Sequence, residues 1–188
     1  MTLLPASLPG GAVLRRLAVE DASALFAVVD RDRERLGAWF PWVEATRSQR
    51  DEEAWIRHLR MDPEARDGLG IFVGDDLVGG AGLLVDPFRI VGEIGYWIRT
   101  DHEGRGLVTA AVRVLLREGF DLVGLHRITI RAGVDNARSR AIPERLGFRE
   151  EGVLRGEGRG SGGFYDLVVY GLLEDEWRER EAAVGDAP

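Results

Sequence analysis

The sequence predicts an α/β (α+β) fold, a mixed and mostly antiparallel sheet of about seven strands with helices on both faces. Three observations carry that expectation. Two-residue alternation appears in short blocks, as where Ile94, Tyr96 and Ile98 alternate with Glu93, Gly95, Trp97 and Arg99. Helical stripes separate some of these blocks, the clearest being Leu107, Ala110, Ala111, Val114 and Leu115. The blocks follow the order strand, two helices, three strands, helix, strand, helix, two strands, which is not a regular alternation of strand and helix.

The elements follow in order. Ala12 to Leu17 reads as the first strand, and Val19-Glu20-Asp21 offers an acidic helix start. Leu25, Val28, Val29 and Leu36 form a helical stripe that Gly37 and Pro41 break among the aromatics Trp39, Phe40 and Trp42. A second helix runs from Ser48, its cap, to His58, and Asp62-Pro63 closes it. Leu69 to Val73 and Leu77 to Val85 form a hairpin around Gly74-Asp75-Asp76, and Val91 to Arg99 is the next strand. The helix from Leu107 leads to the strand Arg127 to Ala132. Pro143 argues that the following helix starts near Ser139 and leaves Asn136 in the loop, because a mid-helix proline costs ~3 kcal/mol. Arg149 to Leu154 and Tyr165 to Leu172 are the last strands, joined by a flexible Gly-rich connection. Glu174 to Glu181 is a charged helix with Glu174–Arg178 spacing. One domain over 1–188 is expected, with its core at about 12–181 and a loose tail at 182–188.

Composition removes several classes. The chain of 188 residues contains no cysteine and no lysine, so all 25 basic residues are arginine. Lysine-dependent P-loops and Schiff bases are excluded, as are thiol nucleophiles and thiolate zinc sites. The three histidines show no metal-ligand spacing, so no metal is expected. A net charge of −7 argues against general nucleic-acid binding. No apolar run is long enough to span a membrane, and no secretory signal is seen, so a cytoplasmic protein is expected.

The chemistry concentrates after the strand that ends at Arg99. Glu103-Gly104-Arg105-Gly106-Leu107-Val108-Thr109 places glycines just ahead of a helix. Such a turn exposes successive N–H groups while the helix directs its positive end to the same point. A polyphosphate is the expected occupant.

These residues, together with Glu93 to Ile98, Asn136-Ala137-Arg138-Ser139-Arg140-Ala141, Glu144 to Phe148, Glu151-Gly152, Tyr165 to Tyr170 and Leu36 to Trp42, resemble the GNAT acyltransferases. Within them the chain is similar to the RimJ/RimL-like N-acetyltransferases that modify protein N-termini. The resemblance implies acetyl-CoA as donor and an amine as acceptor. It implies that Glu103, Gly104, Arg105, Gly106, Leu107, Val108 and Thr109 hold the pyrophosphate, and that Trp97, Ile98 and Arg99 line the pantetheine arm. Asn136 would bond a pantetheine amide, and Ser139 would sit near the sulfur. Three positions depart from the family pattern. Glu103 stands where Gln or Arg is usual, Val108 where Gly or Ala is usual, and Pro143 where many members carry a tyrosine that acts as general acid. The last departure moves that role to Ser139.

A chain without cysteine cannot form a Cys-linked acyl-enzyme, so direct attack by the amine in a ternary complex is the simplest route. An α-amine with pKa ~7.7–8.0 needs only a modest base, whereas a lysine near ~10.4 needs a stronger one. Glu93 is the first candidate base and Glu157 the second, with an N–H near Ile98 meeting the developing oxyanion charge. Trp39, Phe40 and Trp42 are candidates for the acceptor wall. Each has a competing reading: an exposed strand residue for Glu93, a helix cap for Ser139, a turn former for Asn136, a solvated charge for Arg105, and core for the aromatics. At the level of function the alternatives are a small amine acceptor such as a polyamine or aminoglycoside, a non-catalytic CoA-binding module, and a dinucleotide oxidoreductase. The last lacks its third glycine, since Thr109 occupies that position. A homodimer is a further expectation.

Overall fold

The structure is a computed structural model that describes residues 2–61 and 65–185, with side chains through 183. Asp62 and Pro63, the expected stop of the second helix, lie outside the described residues. An eight-stranded sheet organises the chain, in the order β1-β2-β3-β4-β5-β6-β8-β7. The strands are β1 (Ala6–Ser7), β2 (Ala12–Arg16), β3 (Arg66–Val73), β4 (Asp76–Asp86), β5 (Val91–Ile98), β6 (Arg127–Gly133), β7 (Arg149–Gly160) and β8 (Gly163–Leu173). Every neighbouring pair is antiparallel except β5 with β6. The one strand not expected is β1, a two-residue edge too short to show alternation.

Helices cover both faces. On one side lie α1 (Ala22–Arg31), α2 (Arg33–Gly37), α3 (Trp42–Ala45) and α4 (Gln49–Leu59), which bury Leu25, Val29, Leu36, Val43 and Ile56 against Leu17, Phe72 and Leu77. On the other lie α5 (Leu107–Arg117), α6 (Ala137–Leu146) and α7 (Glu174–Gly185). Here Leu107, Ala111, Val112 and Leu115 of α5 meet Ile94, Ile128, Ile130, Val168 and Tyr170 of the sheet. This larger core anchors the first turn of α5, and so fixes the loop that precedes it. Among the described residues no helix is long and apolar enough to cross a membrane.

Four expectations about element boundaries are corrected. The first helical stripe is broken at Asp32, so α1 and α2 are separate. α6 begins at Ala137 rather than near Ser139, with Asn136 as its cap and Pro143 inside it. The Gly-rich stretch is ladder rather than loop, since β7 and β8 pair up to Gly160↔Gly163. Gly158 and Gly160 are there for close approach: an added Cβ would lie 2.2 Å from the Tyr165 ring and 2.0 Å from the Ala38 carbonyl, respectively. The terminal helix runs on to Gly185, past the expected start of the tail.

Candidate active site

The site begins with an interrupted ladder. β5 and β6 pair only over Val91↔Arg127, Gly92↔Ile128 and Glu93↔Thr129. Beyond that point β5 stays with β4 as far as Ile98, and β6 stays with β8 as far as Gly133. The strands part and leave a wedge in the middle of the sheet. Main-chain groups alternate sides along a strand. Arg99 N donates to the Val78 carbonyl on β4 at 2.7 Å, so the N–H and C=O groups of Ile94, Tyr96 and Ile98 turn toward the wedge. Arg35 Nη2 donates to the Ile98 carbonyl at 2.5 Å from that side. An extended, amide-bearing arm laid in the wedge finds the partners a neighbouring strand would supply.

A cradle follows at the end of β5. Gly104 (φ +73°) and Gly106 (φ +75°) take the left-handed conformation, which glycine adopts without steric penalty. Gly106 caps α5 and its carbonyl accepts from Ala110 N at 3.0 Å. The amides of Leu107, Val108 and Thr109 have no helical carbonyl ahead of them. An added Cβ at Gly104 or Gly106 would meet nothing within 4 Å, so open space lies beside both glycines. A diphosphate fits there on the charge and N–H direction of a helix start.

The departures from the family pattern acquire a physical reading. Val108 is buried, so its side chain serves the core while its amide stays at the cradle. Glu103 does not face the cradle as a free charge, because it pairs with Arg35 at 3.2 Å and with Arg138. Arg99, expected to line the arm, braces the end of the strand with its side chain. The residue is 8% exposed, its side chain bonds Asp76 and Asp101, and its carbonyl accepts from His102 N. Those carboxylates raise the Arg99 pKa further, and Arg99 holds the Asp101 carboxyl well below the usual range. Trp97 leans on the smaller core. Arg105 is exposed and donates to the Asp101 carbonyl at 3.0 Å, and Thr109 Oγ1 accepts from Arg145 at 3.1 Å.

Asn136 and Ser139 stand together at the start of α6. Asn136 Oδ1 accepts from Ser139 N at 3.1 Å, the bond of an N-cap. Ser139 Oγ lies 3.3 Å from the hydroxyl of Tyr96, to which the sequence gives no role beyond its place in the alternating strand. On the opposite face of β5 is an acidic pair joined by one cation. Arg131 Nη2 donates to Glu93 at 2.5 Å, and its Nη1 lies 3.7 Å from Glu157. Glu93 first, then burial in opposition, shapes the Arg131 charge, with the net effect of raising its pKa. Both candidate bases are thus brought together. Arg131 was missed, although its alternation with Ile128 and Ile130 places it on the Glu93 side. Of the aromatic trio, Trp39 touches the end of β6: its ring lies on Gly133 and meets Tyr165 edge-on at 5.3 Å. Phe40 and Trp42 contact each other at 5.7 Å, and Phe40 leans on the helical core. Among the described residues no three His, Asp or Glu side chains gather as a metal site.

Comparison with known proteins agrees with this geometry. Residues 12–149 match the acetyltransferase (GNAT) domain model. YdaF of Bacillus subtilis (strain 168) is 37% identical over 168 residues, covering 87% of this chain and 92% of that protein. The ribosomal-protein-serine acetyltransferase of Escherichia coli (strain K12) is 25% identical over 166 residues, covering 86% and 92%. The structure of the microcin C7 self-immunity acetyltransferase MccE in complex with acetyl-CoA and AMP superposes with a TM-score of 0.82 at 25% identity, covering 92% and 98%.

Proposed function

The chain belongs to the GNAT acetyltransferase family, and on that premise we propose that it acetylates the N-terminal α-amine of a protein or peptide by direct attack in a ternary complex with acetyl-CoA. The observation that carries this is the wedge. Near it lie the glycine turn that starts α5, Ser139 against Tyr96 on one face of β5, and Glu93 with Arg131 on the other.

Bound acetyl-CoA would supply the acetyl group as a thioester: the C–N bond to the amine forms as the C–S bond breaks, the amine gives up one proton to a base, and the departing thiolate takes one up. The amides of Gly106 to Thr109 hold the diphosphate and Ile98 N–H meets negative charge on the acyl oxygen. Ser139 Oγ–H donates to the sulfur as negative charge develops on it. Glu93, directly or through water, accepts the amine proton, with Glu157 across Arg131 as a second acceptor. A carboxylate is a weak base. That suits an α-amine, of which roughly a tenth is neutral at pH 7, against well under a thousandth of a lysine side chain. The E. coli relative, named for a ribosomal-protein serine, supports the same acceptor class. Within this reading the protein works in the cytoplasm and dimerises through β7, one edge of the sheet, where Val153 and Leu154 are exposed.

The test is a matched pair of peptides, one with a free N-terminus and no lysine, the other N-terminally blocked with one lysine. Mass spectrometry should find acetyl only on the first. Acetylation confined to the lysine peptide overturns the acceptor assignment. The enzyme itself adds no lysine background, since it has none.

A further inference from the structure

Pro143 lies inside α6, where it has no N–H to give to the carbonyl four residues earlier. That carbonyl belongs to Ser139. It is taken up from outside the helix: Tyr96 Oη donates to the Ser139 carbonyl at 2.8 Å. The same phenol oxygen lies 3.3 Å from Ser139 Oγ, which donates to it. Tyr96 stands on β5 three residues past the last β5–β6 pair, at the wedge, with its ring against the larger core.

From this junction we propose that Tyr96 is the positioning residue for Ser139: its hydroxyl bonds the carbonyl that Pro143 leaves open and so holds the Ser139 side chain at the wedge. The inference rests on the role given to Ser139 above. The Tyr96 hydroxyl has one hydrogen, and the carbonyl has it. Toward Ser139 Oγ the phenol oxygen is therefore an acceptor only, and the serine hydrogen is free to swing to a developing thiolate and return. Burial raises the Tyr96 pKa against the Ser139 hydrogen bond, with the nearby Tyr170 adding to the rise, so the hydrogen stays in place. The position at which many family members carry a tyrosine on α6 thus has two substitutes here, a serine one turn earlier and a strand tyrosine that locks it.

Tyr96→Phe removes the hydroxyl and keeps the ring. It should lower kcat roughly tenfold to a hundredfold, the cost of a slightly misplaced group, with KM for acetyl-CoA within about twofold. In a Ser139→Ala background the same change should leave kcat where Ser139→Ala put it. Parental kcat in Tyr96→Phe, or a full second loss in the double variant, overturns the proposal. If Ser139→Ala alone leaves kcat unchanged, the role of Ser139 fails and Tyr96 falls with it. If Ser139→Ala slows turnover and Tyr96→Phe does not, only Tyr96 falls. Pro143→Ala is a second arm should Tyr96→Phe fold poorly. It supplies a helical N–H that competes for the Ser139 carbonyl and should lower kcat severalfold, and an unchanged kcat counts against the proposal.

Discussion

Gly106 shows what one residue does for the cradle. Its φ of +75° turns the chain into α5, and a Cβ there would meet nothing within 4 Å. Conformation and space therefore separate. Gly106→Ala brings only backbone strain of roughly 1–2 kcal/mol, which for a chain of this length lowers Tm by about 2–8 °C. It should leave CoA affinity nearly intact. Gly106→Glu places a longer, negative side chain over the amides, in steric and charge conflict with a diphosphate. Calorimetry should find no CoA binding to it, and unchanged binding would refute the cradle. At this scale the sequence told much about glycines and little about partners. Gly104 and Gly106 announce themselves by standing before a helical stripe. Tyr96 and Arg131 do not, because alternation gives the face a side chain occupies but not which distant helix or strand meets it there.

Elements were legible where periodicity was clean and misread where a single residue was weighed alone. β5 and α5 lie where their patterns place them. α6 begins earlier than Pro143 suggested, because the lost helical bond is replaced by the Tyr96 hydroxyl, a contact 43 residues away in sequence. The β7–β8 ladder was hidden by glycines that serve close packing against Tyr165 and Ala38. Asn136 joins element and chemistry. Its Oδ1 accepts from Ser139 N, and its NH2 is the group that can donate to a pantetheine carbonyl. Asn136→Ala should lose the cap, worth about 1 kcal/mol or some 2–4 °C in Tm. Asn136→Asp keeps the cap and loses the donor. It should hold its Tm while its KM for acetyl-CoA rises severalfold; an unchanged KM would leave Asn136 as a cap alone.

At the scale of the whole molecule, the layer formed by α1 to α4 carries a charge that works against folding at neutral pH. Glu52 of α4 is 4% exposed, and its Oε1 finds no hydrogen-bond partner among the described residues. Burial, aided by the charge of Asp51 and opposed by Arg33, pushes its pKa from 4.5 up to about 7. The sign follows from which state binds the proton more tightly. Below 4.5 the carboxyl is protonated whether the chain is folded or not, and the shift has no effect on stability. Between 4.5 and 7 the unfolded chain ionises first, so stability falls as pH rises, and above 7 the loss is complete at ~3 kcal/mol. Asp21 and Asp32, whose pKa values are lowered, act in the opposite sense: they favour the fold above the usual carboxylate range and lose that effect in acid. Glu52→Gln isolates the first contribution, because every other group titrates alike in both proteins. Urea unfolding at pH 5 and pH 8 should show the variant gaining ~2–3 kcal/mol on the parent between the two. A difference that stays constant with pH would mean that Glu52 reaches water in the folded chain, and that this layer opens more readily than its packing indicates.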